Sequence, residues 1–233
     1  MKVCILGDIH GNYRALEAVL LSASKANVDK LLVTGDLVGY YFAPRRVIDL
    51  LGDWDCDFVR GNHEVMLADS RFDPVYLAMT ESRYGSGIRI AIEQLDTKQL
   101  DKLCALPHPL ELEIDGIRIL LSHGSPWDIN HYIYPDADSE TFMRCTLGNY
   151  DLIVMGHTHY PMLREVGKIF LVNPGSVGQT RNRQLGAYWA LLDTESRKIE
   201  LRRESYDSSE LIRECQLRHP ELPYLWEVLQ RHE

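Results

Sequence analysis

The sequence predicts an α/β fold, with a largely parallel sheet in its first third and antiparallel hairpins later. Three observations predict it. Short apolar runs alternate with helical stretches up to residue 64, the βαβαβ pattern of right-handed crossovers. Later strand-like runs flank Asp115-Gly116 and Gly167-Lys168, which read as hairpin turns. Most tellingly, apolar runs end in Gly or Ser and then in metal-binding residue types. These blocks are Gly7-Asp8-Ile9-His10, Gly35-Asp36, Gly61-Asn62-His63-Glu64, Ser122-His123-Gly124 and Gly156-His157-Thr158-His159. In open α/β sheets ligands bind beyond the carboxyl ends of the strands, and every block falls there. At 233 residues the chain is read as one domain.

Val3 to Leu6 is apolar throughout, the pattern of a strand buried on both faces. Asp8, His10, Gly11 and Asn12 form the loop after it. Ala15, Leu16, Val19, Leu20 and Ala23 then recur at helical spacing up to about Ala26. Leu31 to Val33 is the second strand. Pro44 starts a helix carrying Val47, Ile48, Leu50 and Leu51, and Phe58-Val59 is the third strand. From Met66 to about Leu106 the chain reads as helical and polar, a small helical cap (66–106) beside the site. Leu110 to Ile114 alternates strictly and pairs with Ile117 to Leu121, a hairpin that delivers His123. Thr141 to Leu147 is a helix, and Leu152 to Met155 is the strand before the histidine pair. Met162 to Val166 and Ile169 to Val172 form the next hairpin. Gly186 to Leu192 and Lys198 to Arg203 are expected to complete this second set of strands. Residues 1–205 make up the domain. Residues 206–233 form a C-terminal helical tail, broken near Pro220 and Pro223 and packed on the same domain.

Hydrophobic residues at 45% and charged residues at 25% supply an ordinary globular core. A net charge of −9 argues against general nucleic-acid binding, which calls for a basic stripe. It leaves room for a small phosphate-bearing substrate, because bound metals reverse the field of a cleft. Cys4, Cys56, Cys104, Cys145 and Cys215 are scattered and form no C-x-x-C pair, as expected of free thiols in a reducing compartment. No apolar run is long enough to span a bilayer, and the N-terminus lacks the apolar core of a secretory leader. The expected location is therefore cytoplasmic, with no membrane partner. Oligomeric state, a homo-oligomer included, stays open.

If the five blocks converge, they bring together Asp8, Asp36, the Asn62 carbonyl and the imidazoles of His10, His123, His157 and His159, with His63 left over. These are too many donors for one Zn²⁺, and no thiolate closes a structural site. They suit two divalent ions sharing one carboxylate. Mixed oxygen and nitrogen donors favour Mn²⁺, with Fe, Zn, Co or Ni as alternatives, over Ca²⁺ or Mg²⁺. His108, His131, His219 and His232 have no motif context and read as surface residues. His131 also follows Trp127-Asp128-Ile129-Asn130 near the cleft.

Taken in order, the five blocks resemble the motif set of the calcineurin-like metallophosphoesterases. Asn173-Pro174-Gly175-Ser176-Val177 resembles a block of their prokaryotic predicted-phosphodiesterase branch. The resemblance runs from residue 3 to about 193. It implies a four-layer α/β/β/α sandwich of two mixed sheets with a dimetal site at the strand ends. It also implies one metal on Asp8, His10, Asp36 and His159, and a second on Asp36, Asn62, His123 and His157, with Asp36 bridging. His63 would be the catalytic histidine that meets the phosphoryl group and assists the leaving oxygen. The implied mechanism is in-line attack on phosphorus by a hydroxide bridging the metals.

The family's protein phosphatases and dinucleoside-tetraphosphate hydrolases carry an arginine-glycine pair soon after the Gly-Asp block. Here Asp36 is followed by Leu37-Val38-Gly39-Tyr40-Tyr41, so that clamp is absent. The reading is a phosphodiesterase acting on a small organic or nucleotide-like ester. Its alternatives are a broad-specificity phosphomonoesterase and a non-catalytic metal-binding scaffold. Candidate substrate contacts are Asn12, Tyr40, His131 and Arg181, with Arg183 as the other arginine of that loop. Tyr40 and Tyr41 either pack against the cap or stack on a substrate ring.

Overall fold

The structure, a computed structural model, describes residues 1–231. In chain order it begins β1 (Lys2–Leu6), α1 (Tyr13–Lys25), β2 (Lys30–Val33), α2 (Pro44–Leu51) and β3 (Cys56–Phe58). Four helices follow: α3 (Asn62–Ser70), α4 (Pro74–Tyr84), α5 (Gly87–Gln94) and α6 (Thr97–Cys104). Then come β4 (Leu110–Ile114), β5 (Ile117–Leu121), α7 (Ser139–Cys145), β6 (Leu152–Val154), β7 (Met162–Val166) and β8 (Ile169–Asn173). The chain closes with β9 (Ala187–Asp193), β10 (Lys198–Glu204), α8 (Ser209–Arg218) and α9 (Tyr224–Glu227).

Two five-stranded mixed sheets result, ordered β10-β9-β1-β2-β3 and β4-β5-β6-β8-β7. The expectation that residues 186–203 complete the second set of strands is corrected here. β9 lies antiparallel to β1, with Cys4 opposite Leu191, and so extends the first sheet. Nothing local encodes this, because β9 is apolar on both faces and either sheet would bury it.

Alternation of side chains across the pleat builds the layers. Val3, Ile5 and Leu32 point towards Ile119, Leu121, Leu152 and Val154 in the apolar layer between the sheets. Cys4, Leu6, Leu31 and Val33 point the other way, into a core shared with Leu16, Val19, Val47, Leu67, Ile88 and Leu103 of the helices. Leu120, Ile153 and Leu171 pack outward against Phe142 and Cys145 of α7. This is the α/β/β/α sandwich.

The segment read as a cap begins earlier than expected, at Asn62. Most of it forms the outer helical layer of the first sheet, since Leu67, Ile88, Ala91, Leu95, Leu100 and Leu103 all enter that core. The C-terminal helices close a smaller cluster of Leu211, Cys215, Leu225, Val228 and Leu229 over Tyr40, Tyr41, Phe42 and Ile90. His219, read as a surface residue, is buried there: its Nε2 accepts from the Ser86 N–H at 3.0 Å, and its Nδ1 faces Glu221 at 3.1 Å. His108 is half-buried, and His232 lies outside the described residues. Among the described residues no helix is long and apolar enough to cross a membrane.

Candidate metal centre

Each block begins just past a strand, and three of the five share an unusual backbone. Asp8, His10, Asp36, His157 and His159 all lie in the left-handed region, with φ of 50°, 53°, 54°, 66° and 62°. Non-glycine residues there cost about 1–3 kcal/mol each and persist only where the surroundings hold them. The Asp8 turn is pinned by hydrogen bonds from Ile9 N and His10 N to the Asp36 carbonyl, at 2.8 and 2.9 Å. Below it, the Ser176 hydroxyl donates to the Asp8 carbonyl at 2.7 Å. The His157 turn is held by the Asn173 amide, which donates to the Gly156 carbonyl at 2.7 Å. The Asn173–Val177 block is thus the brace of two ligand loops.

The turns converge on one buried cluster. Ligand atoms of Asp8, His10 and His159 lie within 4.8 Å of one another, and so do those of Asp36, His123 and His157. Asn62 Oδ1 approaches His123 Nε2 at 2.9 Å. Asp36 Oδ1 is taken by the His63 N–H at 2.8 Å. Its Oδ2 stands between the two groups, 3.7 Å from His10 Nε2 and 3.5 Å from His123 Nε2. An oxygen so placed could be shared by two ions.

The imidazole tautomers decide what the cluster can hold. His10 Nδ1 faces the Val38 carbonyl at 3.2 Å, His123 Nδ1 that of Thr34 at 2.8 Å, and His159 Nδ1 that of Gln179 at 2.6 Å. His157 Nε2 faces the Asn130 carbonyl at 3.3 Å. A carbonyl oxygen only accepts, so each of these nitrogens carries the ring hydrogen. The opposite nitrogens are then bare lone pairs. Burial, the largest cause in each case, lowers the pKa of all four rings, His157 to about 3, so none carries a second proton near neutrality. Yet the bare nitrogens face each other, His10 to His159 at 3.1 Å and His123 to His157 at 3.1 Å. Opposed lone pairs repel unless a cation lies between them. Outer N–H groups fixed on carbonyls are also how metal-bound histidines are oriented. The residues present fit two divalent ions, and this donor chemistry is the reason.

Electrostatics agree. Burial, with Glu64 and Asp8 as neighbours, pushes the Asp36 carboxyl well up from its ordinary value. Asp8, beside His159, is instead held below its ordinary value, so positive charge placed between the two carboxyls would favour the ionised form of both.

The sequence profile of the calcineurin-like phosphoesterase superfamily domain matches residues 1–197. The chain belongs to this superfamily. Among its relatives is an uncharacterised protein of Methanocaldococcus jannaschii, 33% identical over 225 residues and matched over 88% of each chain. The phosphodiesterase YfcE of Escherichia coli K12 is 26% identical over 205 residues, which cover 84% of this chain and 89% of YfcE. The crystal structure of a metallophosphoesterase from Sphaerobacter thermophilus superposes with a TM-score of 0.78 at 26% identity, covering 99% of each chain. That superposition takes in the C-terminal helices, which lie beyond the superfamily match.

In this phosphoesterase fold the remaining candidates separate. His63 is 2% exposed, its ring 4.6 Å from that of His10 and 4.8 Å from that of Tyr40. Its Nδ1 has no hydrogen-bond partner among the described residues. One His63 nitrogen also lies within 4.8 Å of ligand atoms of His10 and Asp36. Arg181 is mostly buried above the cluster and points Nη2 at the Tyr40 hydroxyl at 3.5 Å, whereas Arg183 is exposed. Tyr40 packs between His10, His63, Tyr84 and Tyr224, and Tyr41 donates to the Leu225 carbonyl at 3.1 Å. Both tyrosines therefore pack. Asn12 caps α1, its Oδ1 accepting from Ala15 N at 3.3 Å, while its amide donates to Gly178 O at 2.9 Å and to Tyr206. Those bonds make it a structural tie. His131 is exposed and leans on Trp127 at 5.4 Å; its neighbour Tyr132 is the residue that meets His157, ring on ring at 3.9 Å.

Two residues carry more than the sequence suggested. Glu64 is fully buried and accepts from Asp36 N, Leu37 N and Gly61 N, each at 2.8 Å. It ties the Asp36 loop to the Asn62 helix, and its place three residues after Gly61 was the available signal. Gln179 supplies the carbonyl that fixes His159, and no side-chain pattern announces a backbone role.

Proposed function

We propose that this chain is a dimetal-dependent phosphodiesterase acting on a small organic or nucleotide-like ester. The observation that carries the reading is the double pair of opposed imidazole lone pairs on either side of Asp36 Oδ2. Asp8, His10, Asp36 and His159 would hold one ion, and Asp36, Asn62, His123 and His157 the other. Bound Mn²⁺ ions, the choice favoured by the mixed donors, would supply a water of near-neutral pKa and positive charge for phosphoryl oxygens.

The chain's own groups do the rest. His63 is held beside the cluster by Tyr40 and Tyr84 and would donate to the leaving ester oxygen as acid or hydrogen-bond partner. Arg181, the guanidinium above the cluster, would bind a non-bridging phosphoryl oxygen. The Tyr40 and Tyr84 rings pack on the His63 ring, which is 2% exposed. The name of YfcE supports a diester substrate, and five free thiols support a cytoplasmic setting.

The test compares bis(p-nitrophenyl) phosphate with p-nitrophenyl phosphate on protein stripped by chelator and reloaded with Mn²⁺. The expected result is metal-dependent hydrolysis of the diester well above the monoester. A monoester preference would replace the reading with a phosphomonoesterase, and no turnover of either ester by metal-loaded protein would contradict it.

A further inference from the structure

A ladder of aromatic rings leads from the metal centre to solvent. Tyr132 lies flat against the ligand His157, with ring centroids 3.9 Å apart and planes 19° apart. Tyr134 continues the ladder almost parallel, 5.6 Å away at 9°, and Tyr160 meets it edge-on at 6.0 Å. Despite this packing, Tyr132 remains 42% exposed and Tyr134 38% exposed. The Arg181 guanidinium, aimed at the Tyr40 hydroxyl at 3.5 Å, lies near enough to Tyr132 to interact with it electrostatically. A guanidinium and open aromatic surface thus stand together beside one ligand of the cluster.

The loop presenting these rings is well fixed. Asn130, two residues before Tyr132, gives its carbonyl to His157, and Ser125 N donates to Asp128 O at 2.9 Å. Ile133, between the two tyrosines, is buried against Phe142 and Leu171. Alternation turns Tyr132 and Tyr134 to the same side, towards the site. Rings placed this way offer stacking at little cost in side-chain freedom, and a flat π-face accepts any planar ring without reading its hydrogen-bonding edge.

We infer that Tyr132 and Tyr134 form a subsite for a planar aromatic group of the substrate, a nucleobase or an aryl ring esterified to the phosphate. The inference rests on the phosphoesterase reading above and narrows it: one ester arm is aromatic and lies along the ladder while Arg181 meets the phosphoryl oxygen. Tyr132 also shields His157 from solvent. Tyr134 touches no ligand of the cluster and serves only the subsite, so it is the position to vary.

The test is calorimetric binding to the Mn²⁺-loaded protein, independent of turnover. Its probes are AMP, phenyl phosphate and ribose 5-phosphate, which share a phosphate monoester and differ in the ring. AMP and phenyl phosphate should bind about tenfold more tightly than ribose 5-phosphate, the value of one modest stacking contact. Tyr134→Ala should erase most of that ratio and leave ribose 5-phosphate unchanged, while Tyr134→Phe should keep it. Preference for AMP alone would assign the subsite to nucleobases, and equal preference for phenyl phosphate to aromatic rings generally. Equal binding of all three, no binding of any, or an unchanged ratio in Tyr134→Ala would overturn the inference. An aromatic preference without turnover of any ester would keep the subsite and remove the catalytic reading.

Discussion

At the scale of single residues, the proposed roles divide between groups that would hold ions and groups that would not. Asp8 sits within 3.4 Å of His159 Nε2 and also accepts from the His157 N–H at 3.1 Å, so the proposed ligand is at the same time a brace of the His157 loop. Asp8→Asn should weaken metal binding 10–100-fold or more and lower turnover in step, as metal analysis and diester kinetics on one sample would show. His63→Ala should instead retain the metals and lose about 10²–10⁴-fold in kcat, the usual worth of a positioned proton donor. Unchanged turnover in His63→Ala would remove that role. The residues that gather in the cluster were legible as candidates because each block follows an apolar run and a small residue. Tyr132 was not, because its role is to lie against His157, a contact made across the fold that leaves no mark on neighbouring residues. Glu64 shows the opposite case, a visible residue with an unreadable task. Its buried carboxylate serves three backbone N–H groups at 2.8 Å, so Glu64→Ala should cost about 3 kcal/mol. In a chain of this size that is a fall in Tm of roughly 6–12 °C.

At the scale of elements, the periodicity of buried strands located most of them but not their partners. β1 pairs in parallel with β2, as the crossover predicts, while its other neighbour β9 arrives from far along the chain. Run-by-run hydrophobicity contains no record of that choice. The start of α3 was missed for a local reason: its first turn, Asn62-His63-Glu64, is polar and faces the site, so no apolar stripe marks it. Where two backbones must touch, glycine is the only residue that fits. A Cβ at Gly178 would overlap the Ile9 carbonyl, which lies between Asp8 and His10. Gly178→Ala should therefore displace that loop and lower metal affinity although the residue holds no ligand atom; undiminished metal binding by calorimetry would show that the loop yields at no cost. The C-terminal helices act on the same loops from outside. Tyr41→Phe removes the hydrogen bond to the Leu225 carbonyl and should cost about 1 kcal/mol, or roughly 2–4 °C in Tm.

At the scale of the whole molecule, the fold brings together the ends of strands from two sheets so that buried imidazoles face one another, and that arrangement has a consequence for stability. Burial holds His10, His63, His123, His157 and His159 below the ordinary imidazole value, and takes His108 to about 4. In the unfolded chain they titrate near ~6.5. The unfolded state thus binds more protons below that pH, so the stability of neutral burial is present above it and is lost on acidification. The raised Asp36 and Glu64 carboxyls oppose this by favouring the folded state in acid, but they are two against six imidazoles. Chelator-treated protein should therefore melt at a lower temperature at pH 5.0 than at pH 7.5, and an equal or higher Tm at pH 5.0 would contradict neutral burial. Metal should widen the difference, because protons compete for the same nitrogens. The most direct measurement of the central claim is a titration of chelator-stripped protein with Mn²⁺, read as hydrolysis of bis(p-nitrophenyl) phosphate. The account predicts no turnover without metal and a rise that saturates at two equivalents per chain. Equal hydrolysis by the metal-free protein, or none at saturating metal, would contradict it.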